Sequence, residues 1–273
     1  MWQVQGCSAQ SVQFSKDGEN MTQEYESYES FARVYDELMD NVPYGEWAEF
    51  YVDILKKYGA AEGLVCELGC GTGNMTELLA KKGYDMIGID NSEEMLLIAR
   101  EKAAQELGIL YLQQDMREFE LYGTVRACVS VCDCVNYVLD EEELVEVFRL
   151  VNNYLDPKGV FAFDFNTTYK YEQVIGDTVI AENREECSFI WENFYDGEEQ
   201  INEYDLTIFV RQEDEKYEKF TETHLQRGYT LGQMKDMLSR SGLVFVEAVD
   251  MDTKSAPTQE SERICIVARE NGK

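Results

Sequence analysis

Five short apolar runs lie between residues 63 and 166, most of them separated by amphipathic helical segments, and this alternation restricts the fold more than any other feature of the chain. The runs are GLVCEL, YDMIGID, ILYLQQD, VRACVSVC and VFAFDFN, and the segments between them include NMTELLAKKG and EEELVEVFRLVNNYL. Continuous apolar strands between helices are typical of a parallel sheet covered by helices on both faces. The sequence therefore predicts an α/β fold with a mostly parallel sheet.

The pattern changes after Tyr171, where apolar and polar residues alternate with period two and an Asp-Gly pair at Asp196–Gly197 indicates a hairpin. This segment predicts an antiparallel β insertion. Helical spacing near the start of the chain predicts N-terminal helices, the second of them from about Tyr44 to Tyr58. We therefore expect four regions: a loose extension over 1–20, N-terminal helices and core over 21–170, the insertion as a lid over 171–228, and the rest of the core over 229–273.

Charge and cysteine usage limit the possible partners. The 24 Lys and Arg face 54 acidic residues, so the formal net charge is −30, which repels nucleic-acid phosphates and anionic membrane surfaces and favours a small-molecule partner. No apolar run approaches the ~20 residues that cross a bilayer. Eight scattered cysteines and a single histidine match no zinc spacing, so we predict no metal site, and the pattern suits buried thiols in a cytoplasmic protein.

A glycine-rich turn, ELGCGTGN, follows the first apolar run. Gly69, Gly71 and Gly73 let the chain turn sharply and let its N–H groups approach a ligand, although tight strand–helix packing alone would also require glycine. Asp90 ends the next strand, where a carboxylate can accept hydrogen bonds from the two hydroxyls of a ribose. Asp115 and Met116 follow the third strand. Together these strand ends indicate a slot for an adenosine group.

NAD also carries an adenosine group, so it is the main competitor for this slot. The dinucleotide pattern G-x-G-x-x-G is absent, because the turn spells G-x-G-x-G. A dinucleotide also needs a helix N-terminus open to its pyrophosphate. The spacing therefore disfavours a dinucleotide.

The segments ELGCGTG, IGIDNSEEMLLIAR, QQDMREF and VCDCVNYVL resemble successive motifs of class I S-adenosylmethionine-dependent methyltransferases, over roughly Tyr25 to Arg269. FARVYDELMDNVPYGEW, FAFDFNTTYKY and THLQRGYTLGQM resemble a bacterial subgroup, the YqeM-like proteins, and more distantly the N-methyltransferases of nucleotide-linked amino sugars. The resemblance implies a Rossmann-like, seven-stranded, mostly parallel sheet. It also implies S-adenosylmethionine as methyl donor, S-adenosylhomocysteine as product and a methyltransferase activity.

The resemblance further implies which residues hold the donor. They follow the first four strands and are Glu67, Gly69, Cys70, Gly71, Gly73, Asp90, Asn91, Met95, Gln114, Asp115, Met116, Cys132 and Asp133, with Tyr28 from the N-terminal helix. Within this set the glycine turn approaches the amino-acid half of the donor, Asp90 the ribose, and Asp115 and Met116 the adenine. Met95 could equally be a core residue of its helix.

The residues that act on the acceptor are less defined by the sequence. Tyr35 of the N-terminal helix and His224 and Arg227 of the insertion are the candidate catalytic residues, and His224 is the best candidate base because an imidazole titrates near neutral pH. Each could instead be structural. We expect methyl transfer to nitrogen or oxygen of a small molecule; an RNA methyltransferase or a non-catalytic donor-binding protein are the alternatives, and a monomer or a homodimer is left open.

Overall fold

The computed structural model describes residues 35–212 and 215–273, so the predicted extension, Tyr28 and most of the predicted first helix lie outside the described residues. The helices are α1 (Tyr44–Lys57), α2 (Asn74–Lys81), α3 (Glu93–Lys102), α4 (Glu141–Tyr154) and α5 (Leu231–Ser241). The strands of the first sheet are β1 (Leu64–Leu68), β2 (Asp85–Asp90), β3 (Leu110–Gln113), β4 (Val125–Ser130), β5 (Leu155–Asn166), β10 (Val244–Asp250) and β11 (Arg263–Arg269). Those of the second are β6 (Val179–Asn183), β7 (Cys187–Asp196), β8 (Ile201–Arg211) and β9 (Tyr217–Arg227).

The first sheet has seven strands in the order β10-β11-β5-β4-β1-β2-β3. Strands β1 to β5 pair in parallel, whereas β11 is antiparallel to both of its neighbours. The order reverses at β1, with β2 and β3 on one side and β4 and β5 on the other, so a crevice opens beyond the carboxyl ends of these strands. The predicted seven-stranded, mostly parallel sheet is confirmed.

Helices cover both faces of this sheet. On one face α4 and α5 bury Phe148 and Met237 against Phe161 and Phe163 of β5. On the other face α1 and α2 pack their apolar residues against β1, β4 and β11. Each face thus has its own core, which explains why the parallel strands carry apolar residues at almost every position.

Local signals place the helices that border the crevice. The Ser92 hydroxyl accepts from the N–H of Met95 and begins α3, and Thr230 with Gln233 forms a capping box at the start of α5. α1 follows Pro43, as expected from the sequence. No helix within the described ranges is both long and apolar enough to cross a membrane.

The second sheet, which we call the lid sheet, is an antiparallel meander of β6 to β9 inserted between β5 and α5. The predicted Asp-Gly hairpin joins β7 to β8. Cross-strand pairing places Ile180, Trp191, Leu206 and Glu222 side by side, one from each strand. Because side chains alternate between the faces of a strand, these four share one face, which we call the inner row.

Candidate functional site

A cavity of about 1160 Å³ lies between the strand ends of the first sheet and the lid sheet. Ligand pockets are usually ~300–1,000 Å³, so this cavity has room for more than one small ligand. Its walls come from the turns after β1, β2, β3 and β4 on one side, and on the other from the inner row together with Tyr204 and His224 of the same face of the lid sheet. We call these two sides the strand-end wall and the lid wall.

The glycine turn forms part of the strand-end wall, and its three glycines are needed for different reasons. All have left-handed backbones, with φ of 71° at Gly69, 51° at Gly71 and 78° at Gly73. A Cβ at Gly69 would stand 2.5 Å from the Sγ of Cys134, and one at Gly73 would collide with the Tyr111 hydroxyl. A Cβ at Gly71 would meet no atom of residues 35–212 or 215–273 within 4 Å. Packing requires the outer two glycines, whereas Gly71 leaves space that faces the cavity.

Asp90 at the end of β2 ties the glycine turn to α3. One carboxylate oxygen accepts from the N–H of Gly71 at 2.7 Å and the other from the N–H of Ser92 at 2.9 Å. Burial raises the pKa of Asp90, while these backbone hydrogen bonds oppose that rise. Asp90 and the adjacent Asn91 both line the cavity. A fixed carboxylate beside an open backbone turn is the arrangement that binds vicinal hydroxyls.

Glu67 on β1 is a buried carboxyl at the base of the same wall. Its side chain accepts a hydrogen bond from the Thr76 hydroxyl, and only 2% of the residue is exposed. Burial raises the pKa of Glu67 to about 8, and the nearby Asp90 charge adds to the rise. A carboxyl in this position is stabilised in its charged form by a cation in the cavity.

The turn after β3 supplies Gln114, Asp115 and Met116, all of which line the cavity. Asp115 accepts from the Arg117 guanidinium at 2.6 Å, and this contact lowers the pKa of Asp115. The Gln114 side chain closes its own loop, since its Oε1 accepts from the N–H of Glu120 at 2.7 Å. Met116 is left as the apolar group of this turn.

The turn after β4 has an unusual backbone. Cys132 and Asp133 have φ of 63° and 52°, a left-handed conformation that non-glycine residues rarely adopt. Asp164 of β5 holds it, because its carboxylate accepts from the N–H groups of Cys132 at 3.1 Å and Asp133 at 3.0 Å. The same carboxylate binds Tyr51 and the Arg263 guanidinium. Both residues of the turn therefore face the cavity in a fixed position.

The lid wall presents a connected group of polar aromatic side chains. The Tyr137 hydroxyl is 2.7 Å from the Tyr204 hydroxyl, and the Tyr204 ring stacks on the His224 ring with centroids 4.9 Å apart. His224 Nε2 lies 3.0 Å from a carboxylate oxygen of Glu222. A carboxylate on one ring nitrogen fixes the orientation of an imidazole. This wall therefore presents an oriented imidazole to the cavity.

The cavity brings together most of the residues predicted from the sequence. Glu67, Gly69, Cys70, Gly71, Asp90, Asn91, Met95, Gln114, Asp115, Met116, Cys132, Asp133, Tyr35 and His224 all line it. Gly73 and Arg227 do not. Arg227 donates to the Leu139 carbonyl at 2.9 Å and pairs with Glu141 at 3.1 Å, so its guanidinium is directed to the start of α4.

Three acidic residues of the site were missed in the sequence analysis. Asp36 accepts from Thr72 at 2.6 Å and from Asn74 at 2.9 Å, and so fastens the N-terminal segment over the glycine turn. Asp164 holds the turn after β4, and Glu222 orients His224. An acidic residue inside an apolar run, as in FAFDFN, could have indicated Asp164, because a charge is buried only with specific partners. Neither Asp36 nor Glu222 stands out from the many other acids.

The strand-end wall fits S-adenosylmethionine in the chemistry of its groups. Gly71 leaves backbone space on the cavity, Asp90 presents a carboxylate for ribose hydroxyls, Met116 offers an apolar surface for adenine, and Glu67 is a buried acid suited to an ammonium group. These residues lie at or just beyond the carboxyl ends of three neighbouring parallel strands, so they are held at one edge of the sheet.

Comparisons with known proteins agree with this arrangement. A family model described as a methyltransferase domain matches residues 65–159. A protein of Bacillus subtilis (strain 168) named as the methyltransferase YqeM, with no acceptor in its name, is 36% identical over 245 residues, which cover 89% of this chain and 97% of the relative.

Solved structures that resemble this chain are also methyltransferases. An S-adenosylmethionine-dependent methyltransferase from Clostridium acetobutylicum is 29% identical, superposes with a TM-score of 0.81, and covers 90% of this chain and 99% of its own. The sugar N-methyltransferase KedS8 from Streptoalloteichus is only 14% identical but has a TM-score of 0.74, with coverage of 98% and 100%. This last likeness is one of fold.

Proposed function

Because the chain belongs to the S-adenosylmethionine-dependent methyltransferases, we propose that it methylates a nitrogen or oxygen atom of a small molecule held between the strand-end wall and the lid wall. The observation that supports this most strongly is the two-sided cavity. One side carries the groups that suit the donor, and the opposite side carries a histidine–carboxylate pair and tyrosines. A second molecule placed between the walls would meet both.

The donor is proposed to lie along the strand-end wall. Glu67 and the backbone of the glycine turn would bind its amino-acid half, Asp90 its ribose, and Asp115 and Met116 its adenine. Arg117 already neutralises Asp115, so the backbone and the Met116 side chain are expected to provide most of the contact with the base. When bound, S-adenosylmethionine supplies a methyl group on a positively charged sulfur.

The protein's own residues need to align the acceptor and exclude water, since the methyl group is already activated. The lid sheet excludes water, because Trp191, Leu206 and Ile180 form an apolar wall across the cavity. Cys132 and Asp133 form the rigid part of the opposite wall. A fixed backbone there positions the acceptor without a side-chain rearrangement.

His224 is proposed as the base that removes the acceptor's proton. Its Nε2 is hydrogen-bonded to Glu222, and its ring is stacked on Tyr204. Tyr35 also lines the cavity, and burial raises the pKa of its hydroxyl well above the ordinary value. Tyr35 is therefore suited to donate or accept a hydrogen bond as a neutral phenol and not to act as a base.

Equilibrium dialysis with radiolabelled S-adenosylmethionine and S-adenosylhomocysteine tests the donor side, and transfer of label into a metabolite extract tests the acceptor side. We expect retention of both ligands and labelled products of low molecular mass. Label that appears only in added tRNA would replace the small-molecule proposal by an RNA acceptor. Retention without any transfer would instead indicate a donor-binding protein that does not catalyse methylation.

A further inference from the structure

The inner row of the lid sheet contains a buried carboxylate that is only half used. Glu222 lines the cavity, and its side chain is 8% exposed. One oxygen, Oε2, is bonded to His224 at 3.0 Å. The other, Oε1, is buried and has no hydrogen-bond partner in the part of the chain that the structure describes. Leaving a buried acceptor unpaired is unfavourable, and more so if it is charged.

A second group in the same row is also incomplete. The Trp191 Nε1 is a buried donor that has no partner within residues 35–212 and 215–273. Trp191 and Glu222 are separated by Leu206 in the same cross-strand row, and all three line the cavity. A buried donor and a buried acceptor thus lack partners, among the described residues, just beneath one face of the cavity. A polar ligand in the cavity could supply those partners after a small movement of the two side chains.

The surroundings of Glu222 favour a cationic ligand. Among the described residues that line the cavity, seven side chains are acidic and three are basic. Arg263 is paired with Asp133 and Asp164, and Arg117 with Asp115. The third basic group, Lys170, has its pKa lowered by burial and by the charge of Arg263. An anionic ligand would thus meet an excess of carboxylates.

The aromatic groups beside Glu222 add to this preference. Tyr204 and His224 are cross-strand partners one row along, and Trp191 lies in the row of Glu222 itself. Aromatic faces attract cations, and an indole does so best. A carboxylate bordered by aromatic rings is therefore chemically suited to an ammonium group.

We propose that the acceptor is an amine, and that Glu222 binds it by accepting a hydrogen bond from its ammonium nitrogen, on the face of the lid sheet that also carries Trp191. This inference rests on the proposed methyltransferase function and specifies its substrate class. In the conformation that the structure shows, Oε1 has no exposed surface, so binding an ammonium group requires a partial turn about the terminal torsion of the glutamate, which is soft.

The amine must lose a proton before it can react. The ammonium bound at Glu222 passes one proton to the imidazole of His224. The nitrogen lone pair then forms the new N–C bond, the C–S bond breaks with its electron pair returning to sulfur, and the sulfonium becomes a neutral thioether. The imidazolium finally releases its proton to water, so each turnover converts one ammonium and one sulfonium into one N-methylated ammonium, one thioether and one proton.

Three probes of similar size and different charge test the proposal: benzylammonium chloride, benzyl alcohol and sodium benzoate. Each is titrated by ligand-observed NMR into wild-type protein saturated with S-adenosylhomocysteine. We expect benzylammonium to bind roughly tenfold or more tightly than benzyl alcohol, because a charge-assisted hydrogen bond is stronger than a neutral one. Benzoate should bind most weakly.

Glu222→Gln should remove this preference for the cation, since the amide keeps the size of the side chain and loses its charge. The matched control is Glu203→Gln, an exposed acid paired with Leu225 on the outer face of the lid sheet, which should keep the wild-type order of affinities. Affinity for S-adenosylhomocysteine and a thermal melt show whether each variant is folded.

Four results would overturn the amine assignment: equal binding of the alcohol and the ammonium by wild type, tighter binding of benzoate, no binding of benzylammonium, or a preference that survives in Glu222→Gln. The wild-type comparison requires no variant, so it decides the matter even if Glu222→Gln does not fold. If S-adenosylhomocysteine is bound but the preference is absent, only this inference fails; if it is not bound, the proposed function fails too.

Discussion

The two walls of the cavity are built in different ways. The strand-end wall consists of backbone groups and short side chains at the ends of strands β1, β2 and β3. The backbone N–H groups of Gly71 and Ser92, for example, donate hydrogen bonds to the Asp90 carboxylate. The lid wall uses long side chains from separate strands, such as Trp191, Tyr204 and Glu222, that meet only through the register of an antiparallel sheet.

This difference in construction suggests which features of the cavity are shared by the family and which are specific to this chain. A wall made of turns at strand ends follows from the fold, so any chain with this sheet and these turns can present it. A wall made of side chains across a sheet changes with every substitution on its face, because one residue per strand sets each position. Chemistry common to the family is expected at the first wall and the choice of acceptor at the second.

The largest effect that distinguishes the walls is expected for His224→Ala. Loss of the proposed base should lower kcat by ~10²-fold or more and leave the affinity for S-adenosylmethionine nearly unchanged. Single-turnover transfer of labelled methyl and donor binding by calorimetry measure the two effects separately.

A matched control is Leu225→Ala, the next residue along β9, which is exposed on the outer face of the lid sheet. It should leave both quantities near the wild-type values. Unchanged turnover in His224→Ala would assign the histidine a structural role and remove it from the mechanism.

Asp90→Ala should affect the opposite wall. The lost charged hydrogen bonds are expected to weaken S-adenosylmethionine binding by ~1–3 kcal/mol. Asp85→Ala is the control, because Asp85 begins the same strand and is exposed at its far end. Calorimetry that gives the wild-type affinity for Asp90→Ala would refute the ribose contact.

Glu67 makes the strand-end wall sensitive to pH. Its pKa of about 8 in the folded protein exceeds the ~4.3 of an unfolded glutamate, so the folded state holds more protons between these values. The stability from this group is complete at the acidic end of the window and is lost as pH rises through 8. Between pH 7 and 9 the loss amounts to roughly 1 kcal/mol.

Glu67→Gln should lack this loss, so its free energy of unfolding relative to wild type should rise over the same interval. Urea titrations at pH 7, 8 and 9 measure the difference. Glu62→Gln, at an exposed acid just before β1, should follow wild type. Parallel curves for wild type and Glu67→Gln would mean that the carboxyl is already ionised at pH 7.

The sequence predicts the strand-end wall well for a physical reason. Each of its residues lies within a few positions of a strand whose apolar run is visible, so the fold alone brings Glu67, Gly71, Asp90 and Met116 together. A residue that comes just after a parallel strand in the chain also lies at the carboxyl edge of the sheet, where ligands bind.

The lid wall could be predicted only in outline. Period-two alternation indicated the antiparallel strands, and His224 was singled out as the only histidine. Which residues oppose each other depends on register, and a shift by one residue reverses the faces. The pairing of Leu206 with Glu222 could therefore not be predicted from the sequence. The ion pair of Arg227 with Glu141, which directs Arg227 away from the cavity, could not be predicted either.

The smallest effect on donor binding is expected for Gly71→Ala, which tests whether a ligand contacts the backbone of the strand-end wall. Gly71 and Gly108 both have left-handed backbones, with φ of 51° and 60°, and a Cβ at either would meet no atom within 4 Å in the part of the chain that the structure describes. Alanine at either site should cost about 1 kcal/mol of stability, the penalty for that conformation.

Of these two glycines, Gly71 lines the cavity and Gly108 does not. Gly71→Ala should therefore also weaken donor binding, by about 1 kcal/mol or roughly fivefold, because the methyl group occupies space that a ligand needs. Equal donor affinity in the two variants, with equal loss of stability, would show that no ligand approaches this backbone and that glycine is required there by conformation alone.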